Sequence, residues 1–337
     1  MRTQGAGMTS TGSQATRTFT VRSEVDVLAL IPYTFGFHPR DSVVMLALTT
    51  SGRPFHARID LPPTAEDTAF VVGQLVQPAV VNGAVRVMLV AYSDDERRAA
   101  SCLTALEAGL AAHRIRTLMA LRADGSRWCH VDELGDRGDP TAYDVATHSL
   151  TTEGVLEGKV TYSTREELRA SVALTDPDGA EEVAAAHRRL PPLTRSQRTV
   201  LGAEGRWLLR LVADHAARGE AFDAVTAARV IRALDVPALR DLAWCRMTRA
   251  AAEAHVGLWW PLVRACPDAL VASPASVLAF AAWLSGHGAL AWCAVDRALT
   301  ADPENTLARL VSDILDAALP PARWEPFDPC ALALRGG

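Results

Sequence analysis

Leu28-Ala-Leu-Ile-Pro-Tyr-Thr-Phe-Gly-Phe-His-Pro-Arg-Asp-Ser-Val-Val-Met-Leu-Ala-Leu48 contains a helix end, a stop, a polar turn and a buried strand. Just upstream, Ser23 is a good N-cap, and Glu24 and Asp26 fall in the first turn, where the helix dipole favours carboxylates. Pro32 is expected to interrupt this helix or restart it as a second turn, and Gly36 to end it. Residues 43–48 form a continuous apolar run of strand length, the pattern of a strand covered on both faces. Beyond the Ser51-Gly52-Arg53-Pro54 turn, Phe55, Ala57, Ile59 and Leu61 alternate with His56, Arg58 and Asp60. That period of two predicts a hairpin with one apolar and one wet face.

Working outward, the pattern gives a helix over 64–81 with Pro78 marking an early end, a strand over 85–92 and an amphipathic helix over 94–113. A strand over 115–121 follows, and after Asp124-Gly125 a return arm over 127–131. Strand, helix and strand in succession predict a parallel pair with a right-handed crossover. Residues 135–142 read as a surface loop, and Ser163 or Thr164 as the cap of a helix led by Glu166 and Glu167.

The strand signals stop at Leu190-Pro-Pro-Leu193, and residues 195–318 read as consecutive helices broken at Pro237, at Pro261 or Pro267, at Pro274, at Gly286-His-Gly288 and at Pro303. Taking Ala272 as position one of a 34-residue tetratricopeptide unit puts Leu278, Ala279, Gly286, Ala291, Ala298 and Pro303 on its small, apolar and proline positions. The usual aromatic positions are Ala275 and Ala282, so the match is partial. A helix over 307–319 opens the next unit, and residues 238–267 form another helical pair. The fold class is therefore α/β, a mixed sheet with flanking helices, followed by an all-α tetratricopeptide-like domain. The expected division is a disordered tail over 1–22, an α/β domain over 23–135, a loop and helical linker over 136–190, the helical domain over 191–319 and a C-terminal tail over 320–337.

Of 337 residues, 49% are hydrophobic, enough for two cores. The net charge of −5 arises entirely before residue 191, with 19 basic and 24 acidic side chains there against 15 of each afterwards. Neither half has the basic excess of a nucleic-acid binder. Lys159 is the single lysine, and a chain rich in arginine and alanine fits a GC-rich genome. The six cysteines (102, 129, 245, 266, 293 and 330) form no C-x-x-C pair, which suits a reducing cytoplasm. The first 18 residues lack the apolar core of a signal peptide, Met8 offers an alternative start, and the apolar run 277–284 is too short to span a bilayer. The expectation is a cytoplasmic protein with no membrane or nucleic-acid partner.

Three clusters invite chemistry. His38, Asp41 and Ser42 have the composition of a triad, but adjacent residues of an extended segment point apart, and no G-x-S-x-G elbow holds a serine. A structural role fits better, with Pro39 stiffening the exit and Asp41 bonding nearby backbone N–H groups. His56, Arg58 and Asp60 share one strand face near the same turn and, with His38, Arg40, Asp41 and Ser42, make up a candidate small-ligand or anion site. Cys129, His130, Asp132 and Glu133 lack zinc spacing, so no metal and no cofactor is expected. Asp144 and His148 stand four apart, as in a loop-anchoring hydrogen bond. Trp244, Trp259, Trp260, Trp283 and Trp292 lie on or beside the C-terminal helices, most in packing and one or two in a concave groove.

Ile31-Pro-Tyr33, Gly36-Phe37-x-Pro39-x-Asp41-Ser42 and the apolar strand after them resemble the opening of the actinobacterial domain-of-unknown-function family 4192. The resemblance continues at Arg58-Ile-Asp-Leu-Pro62, Tyr143-Asp144, Thr147-His148, Gly158-Lys-Val160 and residues 163–168, and resumes at 277–283 and 297–303. Many relatives carry a cysteine- and proline-rich element after the position of Trp128, where this chain has Cys129-His130-Val-Asp-Glu-Leu-Gly. The resemblance implies no reaction, cofactor or catalytic residue. Two functions follow as expectations: a non-catalytic binding or scaffold module gripping a protein or peptide through the C-terminal helices, or a hydrolase or anion-binding transferase around His38, Asp41 and Arg58.

Overall fold

The computed structural model describes residues 6–10, 17–52, 54–64, 66–132, 138–156, 160–193 and 198–327. Expectations touching residues 1–5, 11–16, Arg53, 133–137, 157–159 and 328–337, including those on Glu133, Lys159 and Cys330, lie outside the described residues. Two compact units divide between Arg165 and Glu166, so residues 166–190, expected as part of a linker, belong with the helical unit.

In the first unit, β1 (Ala6–Ser10) pairs antiparallel with β2 (Arg17–Val21) within the segment expected to be a disordered tail. Helix α1 (Glu24–Phe35) starts as expected, with a full capping box: the Asp26 amide donates to Ser23 Oγ at 3.2 Å and the Ser23 amide to Asp26 Oδ2 at 3.0 Å. Pro32 does not break it. A proline removes one hydrogen bond, and here residues 27–32 are all buried, so packing outweighs the lost bond. Gly36 ends the helix at φ 77°, with its amide on the Pro32 carbonyl.

The strands β3 (Ser42–Thr49), β4 (Phe55–Asp60), β5 (Ala84–Tyr92), β6 (Arg116–Ala123), β7 (Arg127–His130) and β8 (Thr141–Ala142) form a mixed sheet in the order β4-β3-β5-β6-β7-β8. Thr141 and Ala142, expected in a loop, pair with Trp128 and Arg127 and so add an edge strand. Only β5 and β6 are parallel, joined by α3 (Glu96–Ala112). Helix α2 (Thr68–Val81) starts later than expected and runs through Pro78, whose carbonyl accepts from both the amide and side chain of Asn82.

Residues 43–47 are completely buried, as a strand covered on both faces must be. Val43, Met45, Ala47, Leu89 and Ala91 meet α2 and α3, whereas Val44, Leu46, Met88, Val90 and Tyr92 meet α1. Helix α4 (Ser149–Leu156) adds Leu150 to that second face.

The second unit is helical: α5 (Arg165–Ala170), α6 (Pro177–Arg189), α7 (Arg198–Arg218), α8 (Ala224–Leu234), α9 (Pro237–Trp244), α10 (Ala252–Arg264), α11 (Ala272–Ser285), α12 (Gly288–Ala301) and α13 (Thr306–Asp316). The helices break just before Pro237, as expected, and Pro237 opens α9; of Pro261 and Pro267, the break falls at Pro267, between α10 and α11. Pro261 and Pro274 sit inside α10 and α11, the latter in the first turn, where its missing N–H costs nothing. Leu278, Ala279, Ala291 and Ala298 are fully buried, and Gly286 at φ 91° closes α11 just before α12. Residues 320–327, expected as tail, fold back as a strap described below. Among the described residues, no helix is long and apolar enough to cross a membrane.

Candidate functional site

The seven candidate residues of the α/β unit separate into three environments. Asp41 adopts φ 39°, a left-handed conformation that aspartate tolerates better than most residues. Its carbonyl accepts the Leu61 amide at 2.8 Å, which closes the base of the hairpin. Its carboxylate does not cap the turn. Oδ1 instead accepts from Arg98 Nη2 at 2.5 Å and from Ser93 Oγ at 3.1 Å, tying the start of β3 to the first turn of α3. The Arg122 side chain, 6% exposed, continues this cluster. Its Nε donates to the Ser93 carbonyl at 3.0 Å, and Nη1 lies 3.4 Å from Asp124 and 3.5 Å from Glu96.

Arg58 forms the second environment. Its Nη2 is 2.6 Å from Asp60 Oδ1 and reaches the Arg40 carbonyl at 3.4 Å, while the guanidinium carbon stands 5.7 Å from the Phe37 ring centre. His38 and Arg40 are exposed. Partial burial, then the neighbouring Arg40 cation, hold the His38 pKa below its ordinary value.

His56 and Ser42 form the third. Their β4 and β3 positions put them on the sheet face that carries Val44 and Leu46; of the β4 residues expected to be wet, His56 and Arg58 are half-buried and Asp60 is exposed. His56 Nδ1 is buried without a hydrogen-bond partner, and burial lowers its pKa from 6.5 to about 4. Ser42, fully buried, also lacks a partner for Oγ, as does the cross-strand Tyr92 hydroxyl. A nucleophilic serine needs a base within about 3 Å, and Ser42 Oγ touches none.

His148 reveals a contact too distant in sequence for local patterning. Its Nε2 lies 3.0 Å from Asp26 Oδ1, and Nδ1 accepts the Leu150 amide, which fixes the neutral ring as the Nε2–H tautomer. Asp144 serves its own turn, accepting from the Ala146 amide, so His148 anchors the loop to α1 rather than to Asp144. Burial would raise the Asp26 pKa, but the amides of Arg22 and Ser23 together with His148 outweigh it and hold the carboxyl below its usual range. His130 makes a parallel contact, Nε2 to Glu24 Oε1 at 3.1 Å. Among the described residues, no group of three His, Cys, Asp or Glu side chains is placed to hold a metal ion.

A shallow depression of about 490 Å³ in this unit is lined by Glu107, Thr117, Met119, His130 and Asp132. Another of about 310 Å³ lies in the helical unit, beside Arg240, Ser273, Asn305 and Thr306 at the starts of α9, α11 and α13. None of the seven candidates lines either one.

A third feature is an aromatic groove on α9 and α11 that the chain's own Trp324 and Phe327 fill. Trp244 on α9 and Phe280 on α11 have ring centres 4.8 Å apart, and Trp283 follows Phe280 at 5.5 Å. Into this groove the chain returns after α13, through Ala318 at φ 47°. Trp324 packs edge-on against Phe280 at 4.8 Å and lies 5.5 Å from Trp244, and Phe327 meets Trp244 at 5.7 Å. Trp324 Nε1 donates to the Met247 carbonyl at 2.8 Å, the Phe327 amide to Cys245 at 2.9 Å, and Trp283 Nε1 to Leu319 at 3.0 Å. Of the five tryptophans, Trp244 and Trp283 are buried against residues 319–327. Trp259 is fully buried, and Trp260 donates to the Ser171 carbonyl. The partner residues Trp324 and Phe327 were legible only as a three-residue aromatic spacing in a proline-rich end.

In comparisons with known proteins, the family model described as Domain of unknown function (DUF4192) matches residues 25–322. No curated protein and no solved structure matches the chain.

Proposed function

The chain belongs to the DUF4192 family of domains of unknown function, and from that premise we propose that it is a non-catalytic binding protein whose tetratricopeptide-like helical unit grips an extended peptide or protein segment. One observation supports this above all: the α9–α11 groove accommodates an extended, proline-containing segment through two aromatic anchors, with backbone carbonyls and an amide satisfying the polar atoms. Recognition of proline-rich segments by aromatic-lined grooves follows from their low conformational entropy, so little ordering opposes binding. The setting we propose is the cytoplasm of an actinobacterium, where five free, buried thiols suit a reducing environment.

The test is to pan random dodecapeptides on phage against the full-length chain and elute with a synthetic peptide of residues 320–327. The expected result is enrichment of aromatic residues flanking a proline, in clones the synthetic peptide displaces. An absence of enrichment, or enriched clones unaffected by excess peptide, overturns the proposal.

A further inference from the structure

The groove is filled by the chain itself, and the manner of filling is that of a ligand. Pro321, Trp324 and Phe327 stand three residues apart; Pro321 lies in a 3-10 turn, flanked by Pro320 (φ −72°, ψ 139°) and Trp324 (φ −74°, ψ 127°) in polyproline-like backbone. These three are partly buried, whereas Arg323, Glu325 and Pro326 are exposed. The segment therefore has one face of anchors and one face in water. Its polar links run to carbonyls just beyond the end of α9, at Cys245 and Met247, which helix hydrogen bonding leaves available. The 3-10 turn Pro321–Arg323 precedes Trp324, and residues 324–327 carry no regular secondary structure. A half-exposed segment held by two rings and few backbone bonds sits at the low-stability end of a fold, where local opening precedes global unfolding.

We propose that residues 320–327 are an internal ligand that latches the groove shut, and that the groove's external partner is an extended protein segment carrying Trp-x-Pro-Phe chemistry. The proposal rests on the groove being a peptide site. Tethering gives the latch a high effective concentration at the groove, of the order of millimolar for a short connection. An external segment with the same anchors must compete against it, and its apparent affinity falls by the fraction of molecules that are open. The latch thereby sets a threshold: segments with one anchor are excluded and segments with both, or with more, displace it.

The experiment uses the full-length chain and a fluorescently labelled peptide of residues 320–327 as probe, read by anisotropy. The double substitution Trp324→Ala with Phe327→Ala empties the groove in cis and should bind the probe at least about tenfold more tightly than wild type. Equal affinity for both chains overturns the latch and leaves the peptide site standing. No binding to a double variant that keeps its helical circular dichroism overturns both. Amide exchange on wild type provides a reading independent of any variant. The Phe327 amide should exchange at least about tenfold faster than the hydrogen-bonded amides within α11. Equal rates would mean that the segment leaves only on global unfolding, and the latch would fail. A wild-type dimer that the double substitution dissolves would also overturn it, in favour of exchange between copies.

Discussion

Replacing His56 with leucine should flatten the acid side of the stability curve of the α/β unit. In the native state, burial without a partner at Nδ1 keeps the ring neutral down to a pKa of about 4, against 6.5 in the unfolded chain. The unfolded state therefore takes up the proton first. The stabilisation from holding the ring neutral is complete above pH 6.5 and is lost as the pH falls toward the folded value. Integrated proton linkage gives a loss of about 2 kcal/mol at pH 5 and about 3 kcal/mol at pH 4. Leucine removes both the titration and the unpaired nitrogen, so it should also raise stability at neutral pH by up to about 1 kcal/mol. Urea unfolding at pH 7.5, 5 and 4, followed through amide resonances of β3 and β5, reports this unit alone. Wild type and variant should diverge by about 2 kcal/mol between pH 7.5 and 5. Parallel curves, or a His56 ring titrating near 6.5 in the native protein, would show that burial does not hold the imidazole neutral.

Other perturbations address the contacts that close each unit. Asp26→Ala removes the capping box and the His148 anchor together and should cost about 1–2 kcal/mol. In a double-mutant cycle with His148→Ala the coupling should be about 0.5–1 kcal/mol, whereas additive losses would show that the pair contributes nothing. Arg122→Met leaves Asp124, Glu96 and the Ser93 carbonyl without their cation and should lower urea stability by roughly 2–3 kcal/mol; a change below about 0.5 kcal/mol contradicts the role given to it. Burial pushes the Cys102 and Cys266 thiols up to about 11 and about 12, so mass mapping after treatment with an aromatic disulfide at pH 7.5 should find both unlabelled until urea is added.

Local rules carried much of the fold. The N-cap at Ser23, the glycine stop at Gly36 and the buried strand from Val43 are each decided by neighbouring residues, and each lies where the sequence puts it. Pro32 and Pro78 were misleading because a proline's local penalty of about 3 kcal/mol is smaller than the packing of a buried helix around it, whereas of Pro261 and Pro267 the second marks the break. Alternation along β4 correctly paired His56 with Arg58 and Asp60, but a period of two only separates faces. That His56 and Arg58 are half-buried while Asp60 stays exposed is a tertiary fact. Asp41 shows the same limit, since its partners Ser93 and Arg98 lie 52 and 57 residues away. The strap was hidden by composition: a proline-rich, charged end reads as solvated, and only the partly buried rings of Trp324 and Phe327 identify it as structure.

The Asp26–His148 contact joins residues 122 positions apart. At synthesis rates of about 5–20 residues per second, the acceptor waits roughly 6–25 seconds for its imidazole. During that interval α1 has its cap but not the loop that pins it, and the face of β3 beneath it depends on α1 alone. Residues 320–327 impose a similar delay on the second unit, whose Trp244 and Phe280 rings stay uncovered until Trp324 and Phe327 have been made. Chaperone attention to nascent chains should therefore come in two pulses, one ending as residue 148 emerges and one as residue 327 does.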